Sequence, residues 1–357
     1  MRIAYASPLP PEKTGIADYS AELLPHLARH AEIDLFVDRP AAETGGTWSG
    51  EGFEVHPLGS LPRRRGDYDV VLYQMGNDSR YHGGIWRMLQ RVPGVVVLHE
   101  FMLHHLVREM TLTRGDVAGY LEEHRYCYGD GVYRVAKWAV ESSLPHDIWS
   151  YPLFERVVDR SLGVIVHNEA TRRRVAASRP ETRIAKVPHH LALSALPDPA
   201  SISRTEVRRR FGVPEGAFVV ASFGFVTPAK RLEVALRAFA RLRREVPEAF
   251  YLLAGEVSPY YDLDRLLDPE LRPAVRSTGR LSLADLLAAM VVSDLAVNLR
   301  HPTGGETSGT LIRLLGLGRP VVVSDTGSFR EIPDGCCAKV GLDDAEEEIL
   351  AAYLIEL

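Results

Sequence analysis

Cysteine is scarce in this chain: Cys127, Cys336 and Cys337 are the three present among 357 residues. No C-x-x-C spacing occurs, so no pattern for structural zinc or dithiol redox chemistry is present. The odd count at low density suits a reducing cytosol, and adjacent Cys336-Cys337 reads as packing rather than a disulfide. Long uncharged apolar runs are also missing, so no segment reads as a membrane span and any membrane contact is expected to be peripheral. The opening Met1-Arg-Ile-Ala-Tyr5 reads as a strand, not as the apolar region of a signal peptide. There is no G-x-G-x-x-G after a strand and no G-x-x-x-x-G-K-[ST], which disfavours a dehydrogenase and a P-loop NTPase. The G-x-S-x-G nucleophile elbow is absent too. Positive charge is not in excess: the formal net charge is -5, so no global basic field exists for nucleic acid and no nucleic-acid partner is expected.

What is present is the composition of a soluble globular protein, 46% hydrophobic and 25% charged, in a chain too long for one ordinary core. Local basic clusters at Arg63–Arg65, Arg172–Arg174 and Arg208–Arg210 read as solvated helix faces or loops, with a membrane surface or anionic lipid acceptor as the sharper alternative. Strand and helix patterns alternate throughout. Strands are expected at Ile3–Ala6, Ile33–Val37, Val70–Tyr73, Val95–Leu98, Gly163–His167 and Ile184–Val187. A second series follows at Phe218–Phe223, Phe250–Leu253, Asp294–Leu299 and Val321–Ser324. Helical patterns run from Ala17, over roughly 101–142 with a break near Gly129–Gly131, from Glu169, over Arg231–Val246 and from Ser282 through Met290. Such alternation means βαβ units and mainly parallel sheets. Ser, Ala, Pro and Asp crowd residues 192–204 as in a linker. The expected organisation is α/β: two Rossmann-like domains, 1–190 and 205–357, joined by 191–204 and facing a cleft.

Four strand-end segments carry the candidate chemistry. In Pro8–Ser20, Gly15 opens the first helix and would let backbone approach a phosphate, favoured by the helix dipole; the plain alternative is an ordinary βα loop. In Phe223-Gly-Phe-Val-Thr-Pro-Ala-Lys-Arg231, Lys230 can offer a point charge to a diphosphate; the alternative is a solvated lysine, set against the dipole of the helix it starts. In the run 300–320, Glu306 sits close to a helix start and would stay ionised, accepting hydrogen bonds from hydroxyls; a stabilising N-terminal acid is the alternative. The flexible Thr303–Gly305 favours a site there. His99-Glu100 directly follows a strand, where a histidine is either a site residue or structural. His104 and His105 adjoin on a helix and do not face one point, so no metal site is expected.

Together these segments resemble the family 4 (group 1) retaining glycosyltransferases of GT-B fold, over nearly the whole chain. Gly15-Ile-Ala-Asp-Tyr-Ser20 is similar to the amino-terminal glycine loop, Val97-Leu-His-Glu100 to the strand-end His-Asp segment, and Val187-Pro-His-His190 to the crossing into the second domain. Gly224 to Lys230 is similar to the diphosphate-binding Gly-Arg…Lys element. Glu306 and Gly309, with Gly318-Arg-Pro-Val-Val-Val-Ser324, match the first half of Glu-x7-Glu and its trailing Gly-x-Pro-Val. The wording Leu299–Gly309 resembles a bacterial subgroup that builds surface polysaccharides. Two positions depart: Leu314 stands where the second Glu holds the donor ribose, and Phe225 replaces the arginine of Gly-Arg. The closing helix after Glu346–Glu348 is expected to be short.

The resemblance implies an acceptor domain at 1–190 and a donor domain at 205–357. The implied reaction is metal-independent transfer of a hexose-type sugar from a nucleotide-diphosphate sugar, with retention and without a cofactor. His99 and Glu306 would act at the sugar. Gly15, Gly224, Lys230, Arg231, Arg300, Gly305, Thr307, Ser308 and Gly309 would line the donor. Asp18, Tyr19 and Glu100 would lie on the acceptor side. The implied partners are the nucleotide sugar and a glycan, lipid-linked or small-molecule acceptor, in the cytoplasm or peripherally on the inner face of the membrane. Two competing readings remain at this stage: a nucleotide-sugar epimerase of the same fold, and an inactive GT-B module that binds glycans or a partner enzyme.

Overall fold

A computed structural model describes residues 1–38, 52–144, 147–259 and 261–357. The chain divides into two units: Met1–His190 with Gly304–Thr307, and Leu191–Thr303 with Ser308–Leu357. Each unit is built on its own sheet.

The first unit's sheet has strands β1 (Arg2–Ala6), β2 (Glu32–Val37), β3 (Glu54–Pro57), β4 (Val70–Met75), β5 (Val95–Leu98), β6 (Gly163–Val166) and β7 (Ile184–Lys186). Their order is β3-β2-β1-β4-β5-β6-β7, and the neighbours pair in parallel. Both faces are covered. Leu24, Ile3 and Leu35 pack on one side, and Ile85, Leu89, Leu106 and Phe154 belong to the cluster with Tyr73 and Val96. Burial on both faces explains why Val95–Leu98 is a continuous apolar run instead of an alternating one. The described helices longer than one turn are α1 (Gly15–Leu27), α2 (Ser79–Arg91), α3 (His104–Met110), α4 (Val117–Glu141), α5 (Glu155–Asp159) and α6 (Glu169–Ser178). Thr14, Asp78 and Asn168 cap α1, α2 and α6, each side chain accepting a first-turn N–H, as short polar residues do at such ends. The long helical stretch expected from 101 to 142 is two helices, and Gly129 at φ 81°, ψ -176° breaks the second.

The second unit repeats the plan. Strands β8 (Val219–Phe223), β9 (Phe250–Ala254), β10 (Val275–Ser277), β11 (Leu295–Asn298), β12 (Val321–Ser324) and β13 (Ala338–Val340) lie in the order β10-β9-β8-β11-β12-β13, with parallel pairing. Its longer helices are α7 (Arg204–Arg210), α8 (Leu232–Glu245), α9 (Leu283–Val292), α10 (Gly309–Gly316) and α11 (Glu346–Glu356). Within 192–204 the chain makes two short 3-10 turns, Leu193–Ala195 and Pro199–Ser201. Helix α11 carries Glu346, Glu347 and Glu348 in its first turn and pairs them with Arg231, Arg237 and Arg241 around α8. The acids also lie at the favourable end of the α11 dipole.

Both sheets reverse direction of winding beside their first strand, between β1 and β4 and between β8 and β11. In doubly wound sheets ligands bind beyond the carboxyl ends of strands at that reversal. Within the basic clusters, Arg172 and Arg173 pair with Glu169, Arg208 with Asp294 and Arg210 with Asp285. Among the described residues no helix is long and apolar enough to cross a membrane.

Leu314 is fully buried on the inner face of α10, in the cluster with Leu311, Val323 and Phe329. Leu314→Ala is expected to lower unfolding stability by about 2–5 kcal/mol in urea titration. A glutamate at this position would bury a charge, so Leu314→Glu should be the more damaging of the two; equal costs would contradict this placement.

Candidate functional site

In the second unit the site is built at the ends of β8 and β11. After Phe223 the chain turns through Gly224 at φ 84°, a conformation that glycine enters freely. Its N–H donates to the Ala254 carbonyl at 3.0 Å. A side chain at Gly224 would begin 3.0 Å from Lys230 Nζ, so the glycine leaves the ammonium its room. The 3-10 turn Pro228–Lys230 brings the half-buried Lys230 back over the strand end, where Nζ donates to the Phe223 carbonyl. Phe225 projects to solvent at 52% exposure.

The β11 end is joined to this loop. His301 N–H donates to the Ala229 carbonyl at 2.8 Å, and Arg300 N–H to Ser324 Oγ at 2.9 Å. Asn298, buried as the last residue of β11, donates to Ser308 Oγ at 3.1 Å. Ser308 caps α10, accepting from Leu311 N–H, and Gly309 is that helix's first residue. Lys230, Gly224, Arg300, Ser308 and Gly309 thus belong to two connected strand ends. Arg231 is the exception: its guanidinium is engaged by Glu346.

In the first unit the corresponding strand ends carry imidazoles. Tyr19, buried on α1, meets four of them, with ring centroids 4.7 Å from His99, 5.3 Å from His167, 5.1 Å from His189 and 4.4 Å from His190. His99 follows β5; its N–H donates to the Met75 carbonyl, and Nε2 lies 2.7 Å from Oε1 of the fully buried Gln74. With that oxygen as acceptor, Nε2 carries the proton. His167 follows β6, and its Nδ1 faces the Val187 carbonyl at 2.8 Å, an acceptor only, so this nitrogen donates. Its Nε2 is buried with no hydrogen-bond partner among the described residues. Burial, and then the neighbouring imidazoles, push His99 well below the usual histidine range, and burial lowers His167. Burial also raises the Tyr19 phenol to about 12. His99, His167 and Tyr19 are therefore neutral near pH 7.

The segment Gly304–Thr307 belongs to this unit and is stitched to it by backbone. Phe101 N–H donates to the Gly304 carbonyl at 2.7 Å. Asn168 Nδ2 and Thr171 Oγ1 both donate to the Gly305 carbonyl, at 2.7 and 2.8 Å. Asn168 also reaches Thr307 Oγ1 at 3.0 Å. Gly305 has φ 79°, and a side chain there would meet Phe101 at 2.4 Å and Thr171 Oγ1 at 2.5 Å. The two glycines are therefore required by close packing. The carboxylate of Glu306 folds back to accept the Gly304 N–H at 2.8 Å, and the Glu100 carboxylate lies against the same glycine. His99, Tyr19, Glu100 and Glu306 accordingly sit on one unit. Gly15 begins α1 with open space where a side chain would be, and Asp18 is half-buried in its first turn.

Gln74, His167, Asn168 and Thr171 were not foreseen. The reasoning that singled out His99, a polar residue directly after an apolar strand, applies equally to His167-Asn168. Gln74 gave a fainter signal, one amide within Val70–Met75. His104 is structural, held between the Tyr151 carbonyl and the Tyr120 hydroxyl at 2.6 and 2.7 Å.

Two expectations follow. Gly305→Ala should lower stability by about 2–4 kcal/mol, from the left-handed backbone and the crowding of Phe101, whereas Gly15→Ala should change it by under about 0.5 kcal/mol. Urea titration of both variants checks this. His82, whose Nδ1 meets the Gln74 carbonyl at 3.1 Å, has its pKa lowered by burial from 6.5 to about 4. Its stabilising contribution is complete above the unfolded value and is lost as pH falls towards 4, a loss on the order of 2 kcal/mol by pH 5. The stability gap between wild type and His82→Gln should therefore shrink between pH 7.5 and pH 5 in denaturant titrations; a constant gap would contradict it.

Comparison with known proteins agrees with this architecture. Residues 217–357, which make up most of the second unit, match the family model described as glycosyl transferases group 1. No curated protein matches the chain. Among solved structures it is similar to HepE of Anabaena in complex with UDP and glucose, at 17% identity and TM-score 0.65, covering 99% of this chain and 89% of that one. It is also similar to WaaG, a glycosyltransferase involved in lipopolysaccharide biosynthesis, at 14% identity and TM-score 0.61, covering 99% and 90%. Sucrose-phosphate synthase from Thermosynechococcus elongatus aligns at 14% identity and TM-score 0.61, covering 99% and 89%. The two parallel-sheet α/β domains of this chain are those of the GT-B glycosyltransferase fold, and its second domain carries the match to glycosyl transferases group 1.

Proposed function

We propose that this chain is a retaining glycosyltransferase of the bacterial surface-polysaccharide kind, moving a hexose-type sugar from a nucleotide-diphosphate sugar to an acceptor hydroxyl. The observation that carries the reading is the β8 end, where Gly224 clears space for the Lys230 ammonium within the region matched to glycosyl transferases group 1. Support for the donor class comes from HepE, solved with UDP, with UDP and glucose, and with UDP-glucose.

The chemistry requires the bond from the anomeric carbon to the diphosphate to break while a bond to the acceptor oxygen forms. The acceptor proton leaves with the departing phosphate oxygen. Charge accumulates on the diphosphate, and its stabilisation is the main electrostatic task. We assign that task to Lys230 and the α10 start at Ser308 and Gly309 in the second unit, with no metal invoked; the Gly15 N–H at the start of α1 is the first unit's own candidate phosphate contact. Arg300, just after β11 in the same unit as Lys230, is a further cation. Neutral His99 and the Glu306 side chain are assigned to the sugar hydroxyls, with Gly305 and Thr307 shaping the backbone there. Asp18, Tyr19 and Glu100 are assigned to the acceptor, a glycan, lipid-linked or small molecule. With Leu314 in the core, the ribose is held by other groups. The reaction is assigned to the cytoplasm, peripherally at the inner membrane face where the acceptor is lipid-linked.

Thermal shift against UDP, GDP and dTDP, with and without sugars, tests the donor class. A nucleotide at a hundred times its Kd should stabilise the protein by about 2.7 kcal/mol; no response to any of them would end this reading. Lys230→Ala should weaken nucleotide-diphosphate binding by about 2–3 kcal/mol, roughly 30- to 150-fold, measured by calorimetry. Glu306→Gln should lower turnover while leaving the fold intact. Product analysis separates transfer from epimerisation, since an epimerase consumes no acceptor.

A further inference from the structure

Arg231 directly follows Lys230 and adopts the left-handed conformation, φ 50° and ψ 41°. Among the described non-glycine residues, Ser143 and Leu153 are the others with positive φ. A side chain at such a position is disfavoured by steric contact with its own backbone, so something outside the residue must hold it there. The structure supplies that hold from α11. Arg231 Nε donates to Glu346 Oε1 at 2.8 Å, and Nη2 donates to Glu346 Oε2. Glu346 is 3% exposed and is the first residue of its helix. A bidentate pair of this kind fixes orientation as well as contact.

The backbone on either side shows what is being fixed. Lys230 N–H donates to the Thr227 carbonyl and Arg231 N–H to the Pro228 carbonyl, each at 2.9 Å, closing the 3-10 turn. The Arg231 carbonyl then accepts the Val234 and Ala235 N–H groups at 3.1 and 3.2 Å, starting α8. One residue therefore ends the turn that carries Lys230 and begins the helix behind it. Its left-handed bend sets the direction from which the Lys230 side chain returns over Gly224 to the Phe223 carbonyl.

We propose that the Arg231–Glu346 pair is a positioning device for the donor site: by holding residue 231 left-handed, α11 aims the Lys230 ammonium at the place of the diphosphate. Arg231 acts through Lys230 and not on the phosphate itself. This rests on the reading of Lys230 as the diphosphate cation. It also gives the Glu346–Glu348 run a task, with its first member serving the site and the next two fastening α11 to Arg237 and Arg241.

The test compares two double variants of the full chain, Arg231→Ala/Glu346→Gln and Arg231→Gly/Glu346→Gln. Both remove the ion pair and both avoid an unpaired buried carboxylate. They differ in the backbone preference of residue 231, because glycine enters the left-handed region freely. UDP and GDP affinities are measured by calorimetry, with urea titration to establish that each variant is folded. The alanine double should bind the preferred nucleotide roughly five- to thirtyfold more weakly than wild type, and the glycine double should recover most of that loss. Equal affinity in the two doubles overturns the positioning role; if Lys230→Ala still loses binding in the same experiment, the donor-site reading stands without it. Wild-type protein that binds neither nucleotide, with Lys230→Ala indistinguishable from it, overturns both.

Discussion

A parallel sheet buried on both faces leaves its chemistry to the carboxyl edge. Along the central strands the backbone groups are paired with both neighbours, and most side chains on either face are packed beneath helices. Free N–H groups, helix N-termini and polar side chains collect where the strands end. In this chain the constraint operates twice, with the same strand order up to the sixth strand. Gly224, Lys230, Arg300 and Ser308 lie at one set of strand ends, and His99, Gln74 and His167 at the other. Candidate site residues distant in sequence are thereby gathered at two sets of strand ends by topology alone.

The two sets of strand ends are specialised differently. The second unit places a cation beside a left-handed glycine, an arrangement suited to an anion. The first unit gathers imidazoles, a phenol and an amide, and burial lowers the pKa of His99 and His167 and raises that of Tyr19, which leaves these three groups uncharged near neutrality. A neutral, hydrogen-bonding, aromatic surface suits hydroxyl groups better than phosphates. The Gly304–Thr307 segment, held by Asn168, Thr171 and the Phe101 backbone, adds the carboxylate of Glu306 to the same unit, beside Glu100. Its two glycines permit the close approach that puts Glu306 there.

The sequence was most legible where one physical rule decided the outcome. Val95–Leu98 and Val321–Ser324 are buried strands because nothing but burial fits continuous valine, and Ser282 caps its helix because the helix start needs an acceptor. Short edge strands such as Val275–Ser277 and Ala338–Val340 were not legible, since three residues carry no period. Lys230, Gly224, His99 and Glu306 stood out as polar or flexible residues at strand ends. Asn168 and Thr171 did not, because their importance depends on a segment more than 130 residues away. Arg231 looked like a spare cation in sequence. Only the fold reveals its buried partner, 115 positions further on.

The central claim is that the β8 end recognises a diphosphate through Lys230. Calorimetric titration with the mono- and diphosphates of uridine and guanosine, and with the bare nucleosides, measures this directly. The account predicts that affinity for the preferred base climbs steeply from nucleoside to diphosphate, and that Lys230→Ala removes most of that climb. A nucleoside that binds as tightly as its diphosphate, or a climb that survives the loss of the lysine, would contradict it.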